Sequence, residues 1–280
     1  MGGAPPAPPV APPPVECARP ENGLEIWYAD LMSGGALLCD MARAHDLVPE
    51  SQTDAADTPR RAAHAALRII LAGHIGLAEA RLPFRIAPGG KPTLASSSSA
   101  LEFSLAHCET AALIAVSYDG PVGVDLEAPR PIRIADDRRA ALIDAAIALA
   151  PGTALPPDGP GDARFLQAWT RLEALAKATG EGIGAVLERL RRGEALATHA
   201  TLGSPAFRVR DVTIPGASPH FAAVAGTSRS LATGVAAETL CLPLDRKSLE
   251  QLLADGARHH SQMNPAARPT PPSEFPETAR

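Results

Sequence analysis

The sequence has little cysteine, and the cysteines it has are not arranged for chemistry. There are four, spread along the whole chain without a CxxC pair. Zinc sites and disulfide frameworks need cysteines at close, repeated spacings, so neither is indicated. The scarcity of cysteine fits the reducing cytoplasm, where we expect this protein to work. The four residues are Cys17, Cys39, Cys108 and Cys241.

An excess of positive charge is also absent. The formal net charge is −5 and the pI is near 5.9. A protein that neutralises a run of nucleic-acid phosphates needs a basic surface, so we expect no nucleic-acid partner. No apolar run is long enough to span a bilayer, and the start of the chain lacks the basic and apolar regions of a signal peptide. We therefore expect a soluble protein with no membrane partner.

The chain does contain enough apolar residues for a core. Of 280 residues, 45% are hydrophobic, which suffices for one large core or two small ones. Residues 1–20 are almost entirely Ala, Pro and Gly, a composition that predicts a disordered leader. Residues 240–280 predict one short amphipathic helix at about 247–257 and then a disordered tail. We expect the whole segment after about Thr239 to bury little and to be dispensable for catalysis.

Helices and strands alternate between these two ends. Helices are predicted at 58–76, 135–150 and 163–180, where capping residues and apolar spacings of three and four coincide. Short β-rich runs predict strands at 24–31, 101–108, 111–118, 121–128, 207–214 and 220–226. The order gives two consecutive helix and strand units, and the fold class is α+β.

Two carboxylates follow one another on a predicted strand. In the run GVDLE, Asp125 and Glu127 are two residues apart, so both side chains point to the same face. Adjacent anions repel unless a cation lies between them, and a hard, oxygen-ligated ion such as Mg²⁺ fits that position. Taken alone, the pair is also compatible with a solvated strand end.

The helix predicted at 163–180 carries a third carboxylate and a cation. Trp169, Glu173 and Lys177 are spaced by four and share one helix face. Glu173 can join the acidic pair, and Lys177 can bind phosphoryl oxygens. Lys91, in the turn GGKP, and His107 are further candidates for phosphate binding. Each also has an ordinary reading, such as a surface ion pair, a core tryptophan or a histidine bonded to backbone.

These motifs occur in one order along the chain: GKP, F-x-L-x-H, GVDLE and W-x-x-x-E-A-x-x-K-A-x-G-x-G. In this order they resemble the surfactin-type family of 4′-phosphopantetheinyl transferases, across about 24–225 and most strongly across 90–184. The resemblance implies two similar α/β halves related by a pseudo-twofold axis, with a ligand cleft between them. The halves would span 21–120 and 121–239, in a monomer whose fold is pseudo-dimeric. The tryptophan and the E-A pair indicate the subgroup with W and KEA motifs, which is associated with secondary metabolite biosynthesis.

The resemblance also implies an activity. The enzyme would transfer the phosphopantetheine arm of coenzyme A to a serine of an apo acyl or peptidyl carrier protein, and would release 3′,5′-ADP. The implied Mg²⁺ ligands are Asp125, Glu127 and Glu173. The implied catalytic residues are Glu173, Lys177 and Asp125. The implied coenzyme A contacts are Lys91, Pro92, His107, Lys177 and Arg68.

Two positions depart from the family pattern. A lysine usually precedes the metal-ligating glutamate, and here that residue is Leu172; we expect it at the border of the ligand-facing surface, where a lysine could reach a phosphate. Arg171, next to it, lies about 100° away around the helix, so it could replace that lysine only with a long reach. A serine usually precedes the histidine, and here it is Ala106, which removes a hydroxyl contact. These departures leave open a non-catalytic relative that binds carrier protein or coenzyme A, whereas the intact acidic triad favours the enzyme.

Two other enzyme classes fit less well. A Mg²⁺-dependent nucleotide hydrolase would need a P-loop, and the run GEGIG follows a helix instead of opening one. A cysteine hydrolase built on His107 and Cys108 fails because neighbouring strand residues point to opposite faces.

Overall fold

The structure is a computed structural model that describes residues 23–48, 58–94, 101–194, 196, 206–214, 219–229, 231 and 241–263. Within the last of these ranges, the side chains of 241, 242 and 259–263 are excepted. The predicted leader at 1–20 and the tail after 263 lie outside the described residues. No helix in the described ranges is both long enough and apolar enough to cross a membrane.

The predicted helices and strands are all present, and several short elements are added to them. The first part of the chain forms β1 (Leu24–Asp30), α1 (Leu31–Ala44), α2 (Thr58–Ile75), α3 (Leu77–Arg81), β2 (Arg85–Ile86), β3 (Pro92–Thr93), β4 (Glu102–His107) and β5 (Ala111–Ser117). The second part forms β6 (Val122–Glu127), α4 (Asp136–Leu149), α5 (Ala163–Thr179), α6 (Ile183–Arg191), β7 (Phe207–Asp211), β8 (Phe221–Thr227), β9 (Cys241–Pro243) and α7 (Arg246–Met263). The mixed α+β class is confirmed.

The described strands form three sheets. The first has the order β4-β5-β1-β9, in which β1 is antiparallel to β5 and parallel to β9. The second pairs β2 with β3, and the third is an antiparallel sheet of order β6-β8-β7. β6 is therefore an edge strand of this sheet. The backbone groups on its outer side have no partner strand and can form hydrogen bonds with side chains.

The two larger sheets pack against each other, and helices cover their outer faces. Along β5, Ile114 and Val116 pack in a core with α2, whereas Leu113 and Ala115 face a second core that contains Val124 of β6. Every residue of β5 is buried, as expected for a strand covered on both faces. The helices α4, α5 and α6 lie on the far side of the β6 sheet.

Helix α1 is an element that the sequence analysis missed. The first strand was predicted to run to Leu31, but it ends at Asp30, whose carboxylate caps the helix by accepting bonds from the amides of Met32 at 2.9 Å and Ser33 at 3.2 Å. Gly34 and Gly35 weaken the helical signal. Gly35 lies on the side of α1 that packs on α2, where a Cβ would be in van der Waals contact with that of Ala62 at 3.4 Å.

The expectation that the chain after Leu240 buries little is wrong for the segment 241–257. Strand β9 extends the first sheet, and α7 packs along α2 with Leu249, Leu252 and Leu253 buried in the first core. The helix is also longer than predicted. Gly256 permits this contact, because a Cβ there would lie 2.6 Å from the Ala72 carbonyl oxygen.

Candidate functional site

Strand β6 presents two different faces. Val122, Val124 and Leu126 are buried between the two larger sheets. The alternate residues, among them Asp125 and Glu127, face α5, as the period of two requires. The prediction that Asp125 and Glu127 lie on the same face of one strand is therefore confirmed.

Gly123 on that same face sets how closely α5 approaches. A Cβ at this position would lie 2.1 Å from the Ala174 carbonyl oxygen and 2.4 Å from the Ala178 amide nitrogen. Only a residue without a side chain allows the helix backbone to lie directly on the strand. The glycine of GVDLE therefore brings the functional face of α5 to the carboxylates, a role that the sequence analysis did not assign.

Lys177 joins α5 to the edge of β6. Its ammonium nitrogen donates to Asp125 Oδ1 at 2.7 Å and to the Val124 carbonyl oxygen at 3.1 Å. One helical turn earlier, Glu173 is partly buried and close enough to both carboxylates of β6 to feel their charge. Trp169 lies one further turn toward the start of α5. The three side chains therefore share one face of the helix, as their spacing predicts.

The electrostatics of this cluster favour an added cation. Burial raises the pKa of the Asp125 carboxyl, the Lys177 ammonium opposes this change, and Glu127 reinforces it. Burial also raises the pKa of Glu173, and the charge of Asp125 adds to that effect. Three carboxylates thus lie within range of one another's charge, with a single lysine on α5, and holding all of them ionised is unfavourable without further positive charge.

One oxygen of the cluster has no partner. Asp125 Oδ2 is buried and accepts no hydrogen bond, although Oδ1 of the same carboxylate is bonded to Lys177. A buried carboxylate oxygen without a donor is costly, and a hard cation satisfies it. Within the described ranges, no three His, Cys, Asp or Glu side chains are already arranged as a metal-binding group. The residue types and the unpartnered oxygen nevertheless fit Mg²⁺.

Glu127 forms an ion pair with Arg130, which lies outside α5. Its guanidinium donates to Glu127 Oε2, and this contact raises the pKa of Arg130. The side chain of Arg130 is 48% exposed, whereas that of Glu127 is 15% exposed. The sequence analysis missed this arginine because an i, i+3 pair after a strand has no fixed geometry.

The turn that carries Lys91 reaches this region from the first part of the chain. Lys91 donates to Glu102 Oε2 and to the Val122 carbonyl oxygen, both at 3.0 Å. The turn lies against the end of α5, since a Cβ on Gly89 would lie only 1.8 Å from the Gly180 carbonyl oxygen. Lys91 and Lys177 therefore bond to the same edge of β6, at carbonyls two residues apart.

The other expected coenzyme A contacts lie at several places around the first sheet. Pro92 begins β3, directly after Lys91, and His107 is exposed at the end of β4. Arg68 donates to the carbonyl oxygens of Ala80 and Leu82, the latter at 2.6 Å, and stacks 3.7 Å above the Phe84 ring. Its guanidinium thus fastens the chain after α3, and a ligand contact by Arg68 remains a prediction.

The expectation for Leu172 is wrong, whereas Arg171 is, as expected, no simple replacement for the missing lysine. Leu172 has no exposed surface and packs in the core between α4 and α5, so it does not border the ligand-facing surface. Arg171 is fully buried and donates to both carboxylate oxygens of Asp211 on β7, at 2.7 and 2.6 Å. It cannot substitute for a lysine at the site. Helix α5 is enclosed on several sides, so the residues flanking its functional face belong to the core.

A groove opens beside Trp169. It has a volume of about 350 Å³ and combines an apolar floor with three arginines, Arg130, Arg133 and Arg138. Phe165 stacks against Trp169 in the floor, with ring centroids 6.2 Å apart. Since Arg130 also holds Glu127, the groove adjoins the acidic cluster.

Comparison with known proteins gives one family. Residues 121–222 match the model of the 4′-phosphopantetheinyl transferase superfamily. The chain is 33% identical over 184 residues to 4′-phosphopantetheinyl transferase HetI from Nostoc sp. (strain PCC 7120), an alignment that covers 61% of this chain and 68% of HetI. It is 33% identical over 144 residues to the Synechocystis sp. (strain PCC 6803) protein slr0495, whose name gives the same activity provisionally; this covers 49% of this chain and 55% of that protein.

The matched stretch includes β6, with its two carboxylates, and α5, with Glu173 and Lys177. The similarity to HetI extends over two thirds of that protein. On this similarity, the chain belongs to the 4′-phosphopantetheinyl transferase superfamily.

Proposed function

We propose that this protein transfers the 4′-phosphopantetheine arm of coenzyme A to a serine of an apo acyl or peptidyl carrier protein, with Mg²⁺, and releases 3′,5′-ADP. One observation carries the proposal. The close contact at Gly123 places Glu173 and Lys177 of α5 against the buried Asp125, whose second oxygen has no partner. A family member that had lost catalysis would gain nothing from keeping such an unfavourable group of charges buried.

Asp125, Glu127 and Glu173 would hold the Mg²⁺. When bound, the ion neutralises charge on the coenzyme A pyrophosphate, which is the main requirement of phosphoryl transfer. Lys177 binds the pyrophosphate oxygens. Lys91 and His107 bind the 3′-phosphate end, with Pro92 and Arg68 as further coenzyme A contacts.

Glu173 is the base of the proposed reaction. It is partly buried beside the two carboxylates of β6 and lies one helical turn from Lys177, on the same face of α5. The serine hydroxyl loses its proton to Glu173, and its oxygen forms a bond to the phosphorus on the pantetheine side. The bond from that phosphorus to the bridging oxygen breaks, and 3′,5′-ADP leaves with the electron pair.

The carrier protein would dock at the groove beside Trp169. The groove adjoins the acidic cluster through Arg130, so a bound partner brings its serine near the reacting phosphate. Its apolar floor and three arginines suit a helix that carries apolar side chains beside carboxylates. In this proposal the protein is a cytoplasmic monomer of two halves, 21–120 and 121–239, related by a pseudo-twofold axis, and belongs to the subgroup with W and KEA motifs.

The test is to incubate the purified protein with coenzyme A, Mg²⁺ and several apo carrier proteins, and to measure carrier mass. The expected result is a carrier heavier by one phosphopantetheine group, with loss of the product when Mg²⁺ is chelated. Replacement of Arg133 by Glu should raise the KM for carrier and leave the KM for coenzyme A unchanged. Coenzyme A binding without any mass change on any carrier would support the binding-module alternative.

A further inference from the structure

Arg130 contacts both the acidic cluster and the groove beside Trp169. Its guanidinium bonds to Glu127, at the edge of the acidic cluster, and the same side chain lines the groove floored by Trp169. Its backbone is fixed, because its amide donates to the Gly161 carbonyl oxygen at 3.3 Å. The side chain is long and half-exposed, so its guanidinium can reach both while its backbone stays in place.

In the described structure, the positive charge at Glu127 is supplied from within the chain. Arg130 compensates Glu127, and Lys177 compensates Asp125. A divalent cation ligated by Glu127 repels the guanidinium and takes the oxygen to which it is bonded. The groove that Arg130 also lines then offers it the Trp169 ring, since an aromatic face attracts a guanidinium.

We propose that Arg130 is a displaceable counter-ion that couples cation binding at Glu127 to the charge of the groove. Without a cation, the guanidinium is held by Glu127. With a cation, it turns into the groove, which becomes more positive and receives an anionic partner more readily. The inference rests on the proposed function, since it takes Glu127 as a metal ligand. Its consequence is an order of events: the site accepts its cation before the groove reaches full affinity for the partner.

Trp169 provides a readout that does not depend on activity. The chain has two tryptophans, so Trp27→Phe leaves Trp169 as the only one. In that background, Mg²⁺ should change the emission of Trp169, and Arg130→Met should remove the change. Arg133→Met is the matched control: Arg133 is exposed and lines the same groove, so its loss should leave the response intact. If Trp27→Phe does not fold, difference spectra of the two-tryptophan chain give the same comparison.

A second variant tests the mechanism without metal. Glu127→Gln weakens the hold on Arg130, so its metal-free emission should already resemble that of the Mg²⁺-bound protein. Emission identical to the metal-free parent would overturn the proposal. An Mg²⁺ response in Arg130→Met equal to that of the parent would overturn it as well.

Direct cation binding separates this inference from the proposed function. Free Mn²⁺ measured by electron paramagnetic resonance gives the affinity of each variant. Arg130→Met should bind Mn²⁺ about fivefold more tightly than the parent, because the competing guanidinium is gone, and Arg133→Met should change less. If Arg130→Met and the parent bind Mn²⁺ with equal affinity while Asp125→Asn loses binding, the role of Arg130 is overturned and the proposed metal site is retained. Mn²⁺ binding that Asp125→Asn does not weaken would overturn both.

Discussion

Gly123 and Ala174 are in such close contact that a Cβ on Gly123 would lie 2.1 Å from the Ala174 carbonyl oxygen. The contact joins the edge strand β6 to α5 at the level of the acidic cluster. A methyl group there must push the helix off the strand, and Lys177 and Glu173 move with it.

We therefore expect Gly123→Ala to lower the free energy of unfolding by about 3 kcal/mol, the upper range for overpacking, and to lower kcat more than stability alone explains. Chemical denaturation and carrier mass measure the two effects. The matched control is Gly184→Ala in α6, where a Cβ meets nothing within 4 Å. A Gly123→Ala enzyme with parental kcat would show that the helix position does not limit catalysis.

The three carboxylates give the second prediction. Asp125→Asn, Glu127→Gln and Glu173→Gln should each lower transfer at least about 100-fold, since even residues that only support metal ligands cost up to that amount. Asp125→Asn should fold well, because it removes a buried charge whose pKa burial raises. Asp144→Asn, on the exposed side of α4, is the control and should keep full activity. Transfer that persists in a chelator would contradict the metal assignment.

Leu172 gives the third. A lysine at this fully buried position places an unpaired charge in the core, so Leu172→Lys should cost about 3 kcal/mol or more and should not increase turnover. Leu172→Met keeps the volume and should cost less than about 1.5 kcal/mol. The two are compared by thermal denaturation. A stable and faster Leu172→Lys enzyme would mean that the side chain escapes toward the groove.

The fourth concerns the ion pair behind α5. Arg171 is fully buried, and its loss leaves Asp211 with an uncompensated charge, so Arg171→Met should destabilise the protein by about 3 kcal/mol. Arg171→Met with Asp211→Leu should recover part of that loss, which a double-mutant cycle measures. Arg164→Met is the control, since in the described part of the chain Arg164 donates to the Pro156 carbonyl oxygen at the long distance of 3.5 Å.

The fifth concerns α7. Leu253 is buried against α2, so Leu253→Asp should reduce soluble expression and lower the melting temperature, whereas Ala254→Asp on the exposed side should do neither. A shortened chain of residues 21–239 should fail in the same way, because it exposes the α2 surface that α7 covers. Parental stability of that chain would show that α7 contributes little.

The elements whose signal is local could be predicted from the sequence. The alternation in GVDLE placed Asp125 and Glu127 on one face, and the spacing of four placed Glu173 and Lys177 on one side of a helix that ends at Gly180 with a φ of 75°. Each of these relationships spans a few residues, over which backbone geometry is fixed. They were therefore readable before any tertiary contact was known.

The misjudged features depend on distant parts of the chain. Arg171 meets Asp211 across 40 residues of sequence, and Leu172 is buried because α4 covers a side of α5 that the helical pattern left open. Helix α7 docks on α2, although its own sequence reads as a short surface helix. An amphipathic pattern shows that one face of a helix is buried, but it does not show which element of the fold covers that face.

The pairing of β9 with β1 and of α7 with α2 also bears on how the protein is made. The first sheet is completed by residues 241–243, which the ribosome adds more than 200 residues after β1. During synthesis, the apolar surface of α2 stays uncovered until Leu249 and Leu253 are added, after the whole β6 sheet has been synthesised. The part of the chain that carries Asp125 and Glu173 is thus synthesised before the first core is covered, and the apolar side of α2 stays exposed until the last helix is added.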